Sequence, residues 1–312
     1  MSASEVHDVL ILGAGPAGLA AGIYTGRARL DTLILEKALP GGQILMTDLI
    51  ENYPGFSEGV APMDLMENFR KQAEKFGARI ETDEARALRL ENGEWVVAGE
   101  SQDYRARAVI VATGSAYKRL GLANEARLIG RGVSYCATCD GAFFRGVPIA
   151  VVGGGDNALN EAIYLTKFAS KVYLIHRRDA FRAVKILQER VAANPRIEVV
   201  WDTVIQAILG DDHLESLMLE NTRTGAVSEI KVDGLFISIG MIPSTGFLKD
   251  LVRFNEWGQI RVNSALEAGP PGLFAAGDCC DACPQQVATA VGTGVAAALA
   301  VDSYLHGLAH RA

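Results

Sequence analysis

The sequence lacks both an excess of basic residues and an apolar leader. Lys and Arg total 30 against 37 Asp and Glu, which gives a formal net charge of −7. This balance argues against nucleic acid or an anionic membrane as a partner, because both favour a basic face. The opening residues MSASEVHD do not resemble a secretory signal, and the apolar run 291–301 is too short and glycine-rich to span a bilayer. We therefore expect a cytoplasmic protein.

Cysteine is also scarce, and its count is odd. The five cysteines are Cys136, Cys139, Cys279, Cys280 and Cys283. An odd number in a chain without a secretory signal argues against a framework of structural disulfides. Zinc is the other common use of two CxxC pairs, but the pairs of a zinc ribbon lie about 15–20 residues apart, and these lie much further apart. We expect no metal.

The start of the chain predicts a dinucleotide-binding unit. The apolar run 9–12, interpreted as a buried parallel strand, leads into the loop Gly13-Ala14-Gly15-Pro16-Ala17-Gly18. A helical stretch and a second strand follow, and the strand ends at Glu36. Glycines let the backbone approach a pyrophosphate, while Glu36 can accept hydrogen bonds from ribose hydroxyls. A glycine turn in an ordinary α/β unit is the alternative, but the complete strand, loop, helix and acid favour a nucleotide.

The same pattern returns in the middle of the chain. The apolar run 147–152 leads into Gly153-Gly154-Gly155-Asp156-Asn157-Ala158, and a helix and a strand at 171–175 follow. This internal repeat predicts a second nucleotide-binding domain. With the first, it indicates an α/β protein of two Rossmann-like, three-layer ββα domains. We expect the second, residues 117–246, to be inserted into the first, residues 1–116 and 247–312.

The two repeats differ where the second strand ends. Glu36 follows Gly13 by 23 positions (36 − 13), and His176 follows Gly153 by the same 23 (176 − 153). An acid there suits a free ribose hydroxyl, whereas the run His176-Arg177-Arg178 suits a 2′-phosphate. Arg182 lies just beyond. The second site is therefore expected to hold NADPH rather than NADH, with a solvated basic turn as the alternative.

Between the two loops and the end of the chain lie further motifs. They are the turn-rich segments Pro40-Gly41-Gly42-Gln43 and Glu51-Asn52-Tyr53-Pro54-Gly55, the strand end Ala112-Thr113-Gly114, the stretch Cys136-Ala137-Thr138-Cys139-Asp140, and the strand end Ala276-Gly277-Asp278. With the two glycine loops and the arginines, these motifs resemble those of low-molecular-weight, bacterial-type thioredoxin reductase over nearly the whole chain. The resemblance implies FAD in the split domain, NADPH and a redox disulfide in the inserted one, thioredoxin as substrate, and a homodimer.

The resemblance also implies roles for individual residues. The FAD contacts would be Gly13, Gly15, Pro16, Ala17, Gly18, Glu36, Gly41, Gly42, Gln43, Asn52, Thr113, Gly114, Gly277, Asp278, Gln286 and Val287. The NADPH contacts would be Gly153, Gly155, Asp156, Asn157, Ala158, His176, Arg177, Arg178 and Arg182. Cys139 would lie next to the flavin, and Cys136 would attack the substrate disulfide. Asp140 would exchange a proton with the released thiol, a turn or helix-cap role being the alternative.

The sequence departs from the family pattern after Gly277-Asp278. Gln285 stands where the family carries an arginine, and Cys280 and Cys283 form a second CxxC pair. These thiols are either small packed side chains or an extra pair that exchanges with the first or senses oxidation. The aromatic residues at 143–144 can dock a partner.

Other functions remain open on the same scaffold. One is a reductase fed by a different donor such as ferredoxin, and another is a dithiol oxidase coupled to oxygen. Both would be expected to lack the arginines that this chain keeps. A non-catalytic flavin-binding or redox-sensing protein is a further alternative, against which the intact CxxC-Asp stretch argues.

Because the disulfide and NADPH share a domain and both must reach the flavin, we expect the two domains to adopt two orientations relative to each other.

Overall fold

The computed structural model describes residues 5–46, 49–282 and 284–309. The chain forms two compact units, of which the inserted unit is Tyr117–Met241 and the first unit comprises the residues on either side. The chain rejoins the first unit earlier than the expected boundary after residue 246. The reason is local hydrogen bonding, since the Ser244 N–H donates to the Gly114 carbonyl at 2.9 Å and the Thr113 hydroxyl donates to the Ser244 carbonyl at 2.8 Å.

Strands outnumber α-helices among the described residues. The strands are β1 Val6–Leu12, β2 Thr32–Glu36, β3 Arg79–Thr82, β4 Ala87–Glu91, β5 Glu94–Ala98, β6 Asp103–Val111, β7 Ser115–Tyr117, β8 Val133–Ser134, β9 Pro148–Gly153, β10 Lys171–Ile175, β11 Ile197–Val200, β12 Thr203–Leu209, β13 Ser216–Asn221, β14 Val227–Lys231, β15 Gly234–Ser238, β16 Met241–Pro243 and β17 Leu273–Ala275. The α-helices are α1 Pro16–Arg27, α2 Pro62–Lys75, α3 Ala137–Asp140, α4 Asp156–Leu165, α5 Lys185–Ala192 and α6 Val287–Ala309.

The first unit is built on a mainly parallel sheet. Its strand order is β3-β2-β1-β6-β5-β4, and β17 also pairs with β6. Strands β1, β2, β3, β6 and β17 run parallel, whereas β4 and β5 form an antiparallel extension. Alternate residues of β1 enter different cores, with Val9 and Ile11 on the face of α1 and α6 and Leu10 and Leu12 on the other. Burial on both faces explains why this strand reads as a continuous apolar run.

The inserted unit repeats this plan with a smaller sheet. Strands β11-β10-β9-β15-β8 are parallel, and β12, β13 and β14 form a separate antiparallel sheet. Along β9, Ile149 and Val151 pack with α4, while Ala150 and Val152 pack in the second core. The predicted fold, two Rossmann-like α/β domains, is confirmed.

Helix α6 is longer than the apolar run in the sequence suggests. Residues Val287–Leu308 have a mean hydropathy of 1.3, and by length and composition alone they could cross a membrane. The prediction that the apolar segment near the end of the chain is too short to span a bilayer was therefore wrong. However, α6 packs so closely on α1 that a Cβ added to Gly294 would lie 2.1 Å from the Ala17 carbonyl oxygen, and Ala297 and Val301 are fully buried. One face of α6 therefore belongs to the core of the first unit.

Candidate active site

The first glycine loop joins the carboxyl end of β1 to the N-terminus of α1. Gly13 has a φ of 107°, and a Cβ there would lie 2.4 Å from the Ala112 carbonyl oxygen. A Cβ on Gly18 would come within 1.8 Å of the Gly13 carbonyl oxygen, so helix and loop can only pack this tightly with glycine. Gly15 differs, because among the described residues its Cβ would meet only the Gly42 Cα, at 3.9 Å. The loop is thus closed toward the protein and open where a pyrophosphate would lie.

Glu36, the last residue of β2, reaches back to this loop. Its Oε2 accepts a hydrogen bond from the Ala14 N–H at 2.8 Å, and its Oε1 accepts one from the Ala38 N–H at 3.1 Å. Beside it lies a cavity of about 360 Å³. The lining residues are Leu12, Gly13, Leu35, Glu36, Lys37, Asp83, Glu84, Ala85, Arg86, Thr113, Ser244 and Phe247. A cavity with an acid at the carboxyl edge of a parallel sheet fits the nucleoside half of a dinucleotide.

One wall of this cavity depends on Asp83, which the sequence analysis missed. Asp83 is 5% exposed, and its carboxylate accepts hydrogen bonds from the N–H groups of Glu84, Glu100 and Ser101 and from the Tyr104 hydroxyl. These bonds lower the pKa of Asp83 against the raising effect of burial. An acid directly after β3, at the same sheet edge as Glu36, is the pattern that could have revealed it.

Segments distant in the sequence lie beside the first glycine loop and the N-terminus of α6. The Gly41 N–H donates to the Ala14 carbonyl at 2.8 Å, which ties the predicted Pro40–Gln43 loop to the glycine loop. The Asn52 side-chain amide donates to the Gln286 side-chain oxygen at 3.0 Å. Gln286 directly precedes Val287, the first residue of α6.

The strand end at Ala276 turns sharply into the site. Gly277 has a φ of 74°, and its N–H donates to the Thr293 hydroxyl oxygen at 3.0 Å. A Cβ on Gly277 would lie 2.9 Å from the Ala17 Cβ, so only glycine fits. Asp278 follows it in a short 3₁₀ turn, where burial raises the pKa of its carboxyl group.

The second glycine loop, in the inserted unit, reproduces the geometry of the first. A Cβ on Gly153 would lie 2.2 Å from the Ser238 carbonyl oxygen and 2.5 Å from the Ala158 Cβ, whereas Gly155 has open space. Asp156 and Asn157 begin α4, and the Asp156 Oδ1 accepts the Val184 N–H at 2.8 Å. The N-terminus of α4 therefore faces the open side of the loop, as a phosphate site requires.

The basic run after β10 splits into a buried and an exposed part. His176 is 6% exposed, and a Cβ on Gly154 would lie 2.2 Å from its Cε1, so the imidazole packs against the back of the loop. Burial lowers the pKa of His176. Arg177, Arg178 and Arg182 are exposed and form no ion pair with any described residue. The arginines are thus free to meet a phosphate, while His176 supports the loop.

The CxxC-Asp stretch lies in this same unit. Cys136 is 4% exposed and is held in a disulfide bond, and the Thr138 hydroxyl lies 3.4 Å from its Sγ. The backbone of Cys139 belongs to α3, but its side chain lies outside the described part of the structure. The Ser134 hydroxyl contacts the Asp140 Oδ2 at 2.6 Å, and the Cys136 N–H donates to the same hydroxyl oxygen at 3.0 Å.

Residues 7–294 match the family described as "Pyridine nucleotide-disulphide oxidoreductase". The chain belongs to this family. It is 44% identical to thioredoxin reductase from Bacillus subtilis (strain 168) over 310 residues, which cover 99% of this chain and 98% of that one. It is also 44% identical to thioredoxin reductase from Streptomyces coelicolor over 309 residues, 98% of this chain and 96% of the relative.

Solved structures of thioredoxin reductases also resemble this chain. Thioredoxin reductase from Lactococcus lactis (FR conformation) is 37% identical, with a TM-score of 0.92, over 96% of this chain and 99% of that chain. Thioredoxin reductase from T. acidophilum is 34% identical, with a TM-score of 0.89, over 95% and 98%. The predicted family and the prediction of an FAD- and NADPH-using flavoprotein disulfide reductase are confirmed.

Two further thiols of this oxidoreductase lie beneath the first-unit site. Cys279 and Cys280 are fully buried, and the Cys279 Sγ lies 3.3 Å from the Val111 carbonyl oxygen and 3.2 Å from that of Ala276. Burial raises the pKa of the Cys279 thiol to about 11, so it is protonated and unreactive at neutral pH. Cys283, the other member of the second CxxC pair, lies outside the described residues.

Proposed function

We propose that this chain reduces thioredoxin with electrons from NADPH, and that a Cys136–Cys139 disulfide is the group through which the electrons leave the enzyme. The observation that carries the proposal is the oxidised Cys136, followed by Asp140, in the unit that also holds the second nucleotide loop and its exposed arginines. A disulfide that only stabilised the fold would not need to lie in the unit that binds NADPH. A disulfide that receives electrons from the nucleotide would need to lie there.

FAD fits the first unit. The open Gly15, the Ala14–Glu36 hydrogen bond and the adjoining cavity would hold its pyrophosphate and adenosine. Asp278 and the Asn52–Gln286 pair would contact the rest of the cofactor. When bound, FAD accepts a hydride from NADPH and delivers two electrons to the disulfide.

NADPH fits the inserted unit. The open Gly155 and the N-terminus of α4 would bind its pyrophosphate, and Arg177 and Arg178 would pair with the 2′-phosphate. Arg182 is anchored to the loop, since its N–H donates to the Gly154 carbonyl at 2.9 Å. These arginines favour NADPH over ferredoxin as the electron donor, and they argue against the alternative of an oxygen-coupled dithiol oxidase.

The residues of the CxxC-Asp stretch divide the disulfide chemistry. Cys139 would receive the electrons, and the Cys136 thiolate would attack the disulfide of thioredoxin. Asp140 would supply and recover the proton that thiol formation needs. Phe143, only three residues beyond Asp140 and 82% exposed, gives thioredoxin an apolar docking point. The proposal includes a cytoplasmic homodimer.

The replacement Cys136→Ser tests this assignment. We expect the variant to keep reduction of its flavin by NADPH, followed by absorbance, and to lose NADPH-driven reduction of thioredoxin. Wild-type protein, measured in parallel, must perform both reactions. Thioredoxin reduction by the Cys136→Ser variant at the wild-type rate would overturn the role of this cysteine. Failure of the wild type itself to reduce thioredoxin would overturn the function.

A further inference from the structure

Ser134 connects the two ends of the CxxC-Asp stretch. It is the last residue of β8, is 3% exposed, and has a hydroxyl oxygen with a partner at each end of the stretch. The Cys136 N–H donates to this oxygen at 3.0 Å, and the Asp140 Oδ2 lies 2.6 Å from it. One buried hydroxyl thus touches the backbone of the first cysteine and the acid after the second.

The hydrogen-bond inventory fixes the direction of the bond to Asp140. A serine hydroxyl has one hydrogen, and here two acceptors lie near it, the Asp140 Oδ2 at 2.6 Å and the Cys136 carbonyl oxygen at 3.3 Å. That carbonyl already accepts the Asp140 N–H at 3.2 Å. When Asp140 is ionised, the hydroxyl therefore donates to its carboxylate. When Asp140 carries a proton, the hydroxyl can turn to the carbonyl, so both protonation states of the acid are satisfied.

The backbone of Ser134 is fixed by the sheet. Strand β8 pairs in parallel with β15, and Ser134 is opposite Phe236, which is fully buried. Asp140, in contrast, ends α3, a helix of only four residues. A single helical turn is not stable on its own, so it does little to fix the position of the Asp140 side chain. The hydrogen bond to Ser134, whose backbone is held in the sheet, fixes the carboxyl group instead.

We infer that Ser134 is a positioning residue that holds the Asp140 carboxyl group for proton transfer to the redox disulfide. The inference rests on the proposed function, which gives Asp140 that proton transfer. Asp140 first takes up a proton from solvent. As two electrons enter from the reduced flavin, the S–S bond breaks, one sulfur takes the Asp140 proton to become a thiol, and the other becomes a thiolate. Asp140 is left as a carboxylate, which the Ser134 hydroxyl stabilises by a charge-assisted hydrogen bond.

The test compares two side chains of equal shape. Ser134→Thr keeps the hydroxyl and Ser134→Val removes it, so any effect of the added methyl group is common to both. We expect kcat for thioredoxin reduction to fall about tenfold or more in the valine variant relative to the threonine variant, since hydrogen bonds to charged groups are the strong ones. The KM for thioredoxin and the rate of flavin reduction by NADPH should be equal in the two.

Two controls separate positioning from stability. Ser216→Ala removes another buried hydroxyl of the inserted unit that contacts a carboxylate, Glu229, at the same 2.6 Å, and kcat should be unchanged. In an Asp140→Asn background, the threonine and valine variants should differ less than twofold.

Several results would overturn the inference. They are equal kcat for the two Ser134 variants, an undiminished difference in the Asp140→Asn background, or an equal loss in Ser216→Ala. If Asp140→Asn alone keeps wild-type kcat, Asp140 transfers no essential proton and the inference fails with that part of the proposed function. Absence of thioredoxin reduction by the wild type would instead remove the function as a whole.

Discussion

Asn52 and Gln286 are 234 positions apart in the sequence, yet their side-chain amides are joined by a hydrogen bond of 3.0 Å. The bond connects a turn-rich loop near the start of the chain to the residue before α6. Both residues belong to the predicted FAD site, and the first unit contains both chain segments. The bond is exposed, so its strength on its own is modest.

We expect Asn52→Ala and Gln286→Ala each to speed the loss of FAD about fivefold, the effect of roughly 1 kcal/mol for an ordinary hydrogen bond. Because the two residues bond to each other, the double variant should lose FAD less than the product of the single effects predicts. FAD release, followed by fluorescence, checks this. Effects that multiply fully would show that the pair does not act as a unit.

Gly18→Ala should disrupt the first unit. The new Cβ would lie 1.8 Å from the Gly13 carbonyl oxygen, a backbone atom that cannot move without opening the loop. We expect a loss of about 3 kcal/mol in the free energy of unfolding and weaker FAD retention. Gly292→Ala in α6 is the matched control, since its Cβ would meet no atom of the described residues within 4 Å, and it should raise stability by up to about 1 kcal/mol. Equal melting temperatures for the two variants would contradict this account.

Local patterns in the sequence were sufficient to predict the fold and the two glycine loops. The run from β1 through Glu36 carries its whole context within a few residues, and its repeat around Gly153 confirms the architecture. Tertiary packing supplied what the sequence could not. The role of Asp83 depends on N–H groups 17 and 18 positions away, and the burial of His176 depends on contact with Gly154. Neither contact leaves a periodic pattern.

The exposed arginines predict the choice of nicotinamide cofactor. Replacing Arg177 and Arg178 together by Ala should raise the KM for NADPH roughly a hundredfold or more, because each of the two charge-assisted bonds to the 2′-phosphate contributes at least about 1.5 kcal/mol when free of competing ion pairs. The KM for NADH should stay nearly constant. Arg190→Ala, an exposed arginine on α5, is the control and should leave both unchanged. An equal rise in the KM for NADH would mean that the arginines do not recognise the 2′-phosphate.

Glu161 on α4 predicts a pH dependence of stability. Its Oε2 is buried with no hydrogen-bond partner among the described residues, and burial raises the pKa of Glu161 from 4.5 to about 8. The folded state thus holds a proton that the unfolded chain releases above about pH 4.5. The contribution of this proton to the free energy of unfolding is therefore complete below about pH 4.5, and it is lost as the pH rises toward 8.

Melting temperatures between pH 5 and pH 8 check this sign. The wild type should lose stability across the range more steeply than Glu161→Gln, in which the neutral amide replaces the carboxylic acid. Glu189→Gln, which removes an exposed carboxylate from α5, should keep the wild-type slope. A Glu161→Gln variant with the wild-type slope would show that Glu161 ionises normally in the folded protein.

The central claim is that electrons pass from NADPH through a flavin to a protein disulfide, and anaerobic spectroscopy of the FAD-loaded enzyme tests it most directly. We predict that NADPH bleaches the flavin absorbance, that NADH at equal concentration does so far more slowly, and that oxidised thioredoxin then restores the absorbance. A flavin that NADPH leaves unbleached, or a bleached flavin that thioredoxin does not reoxidise, would contradict the account.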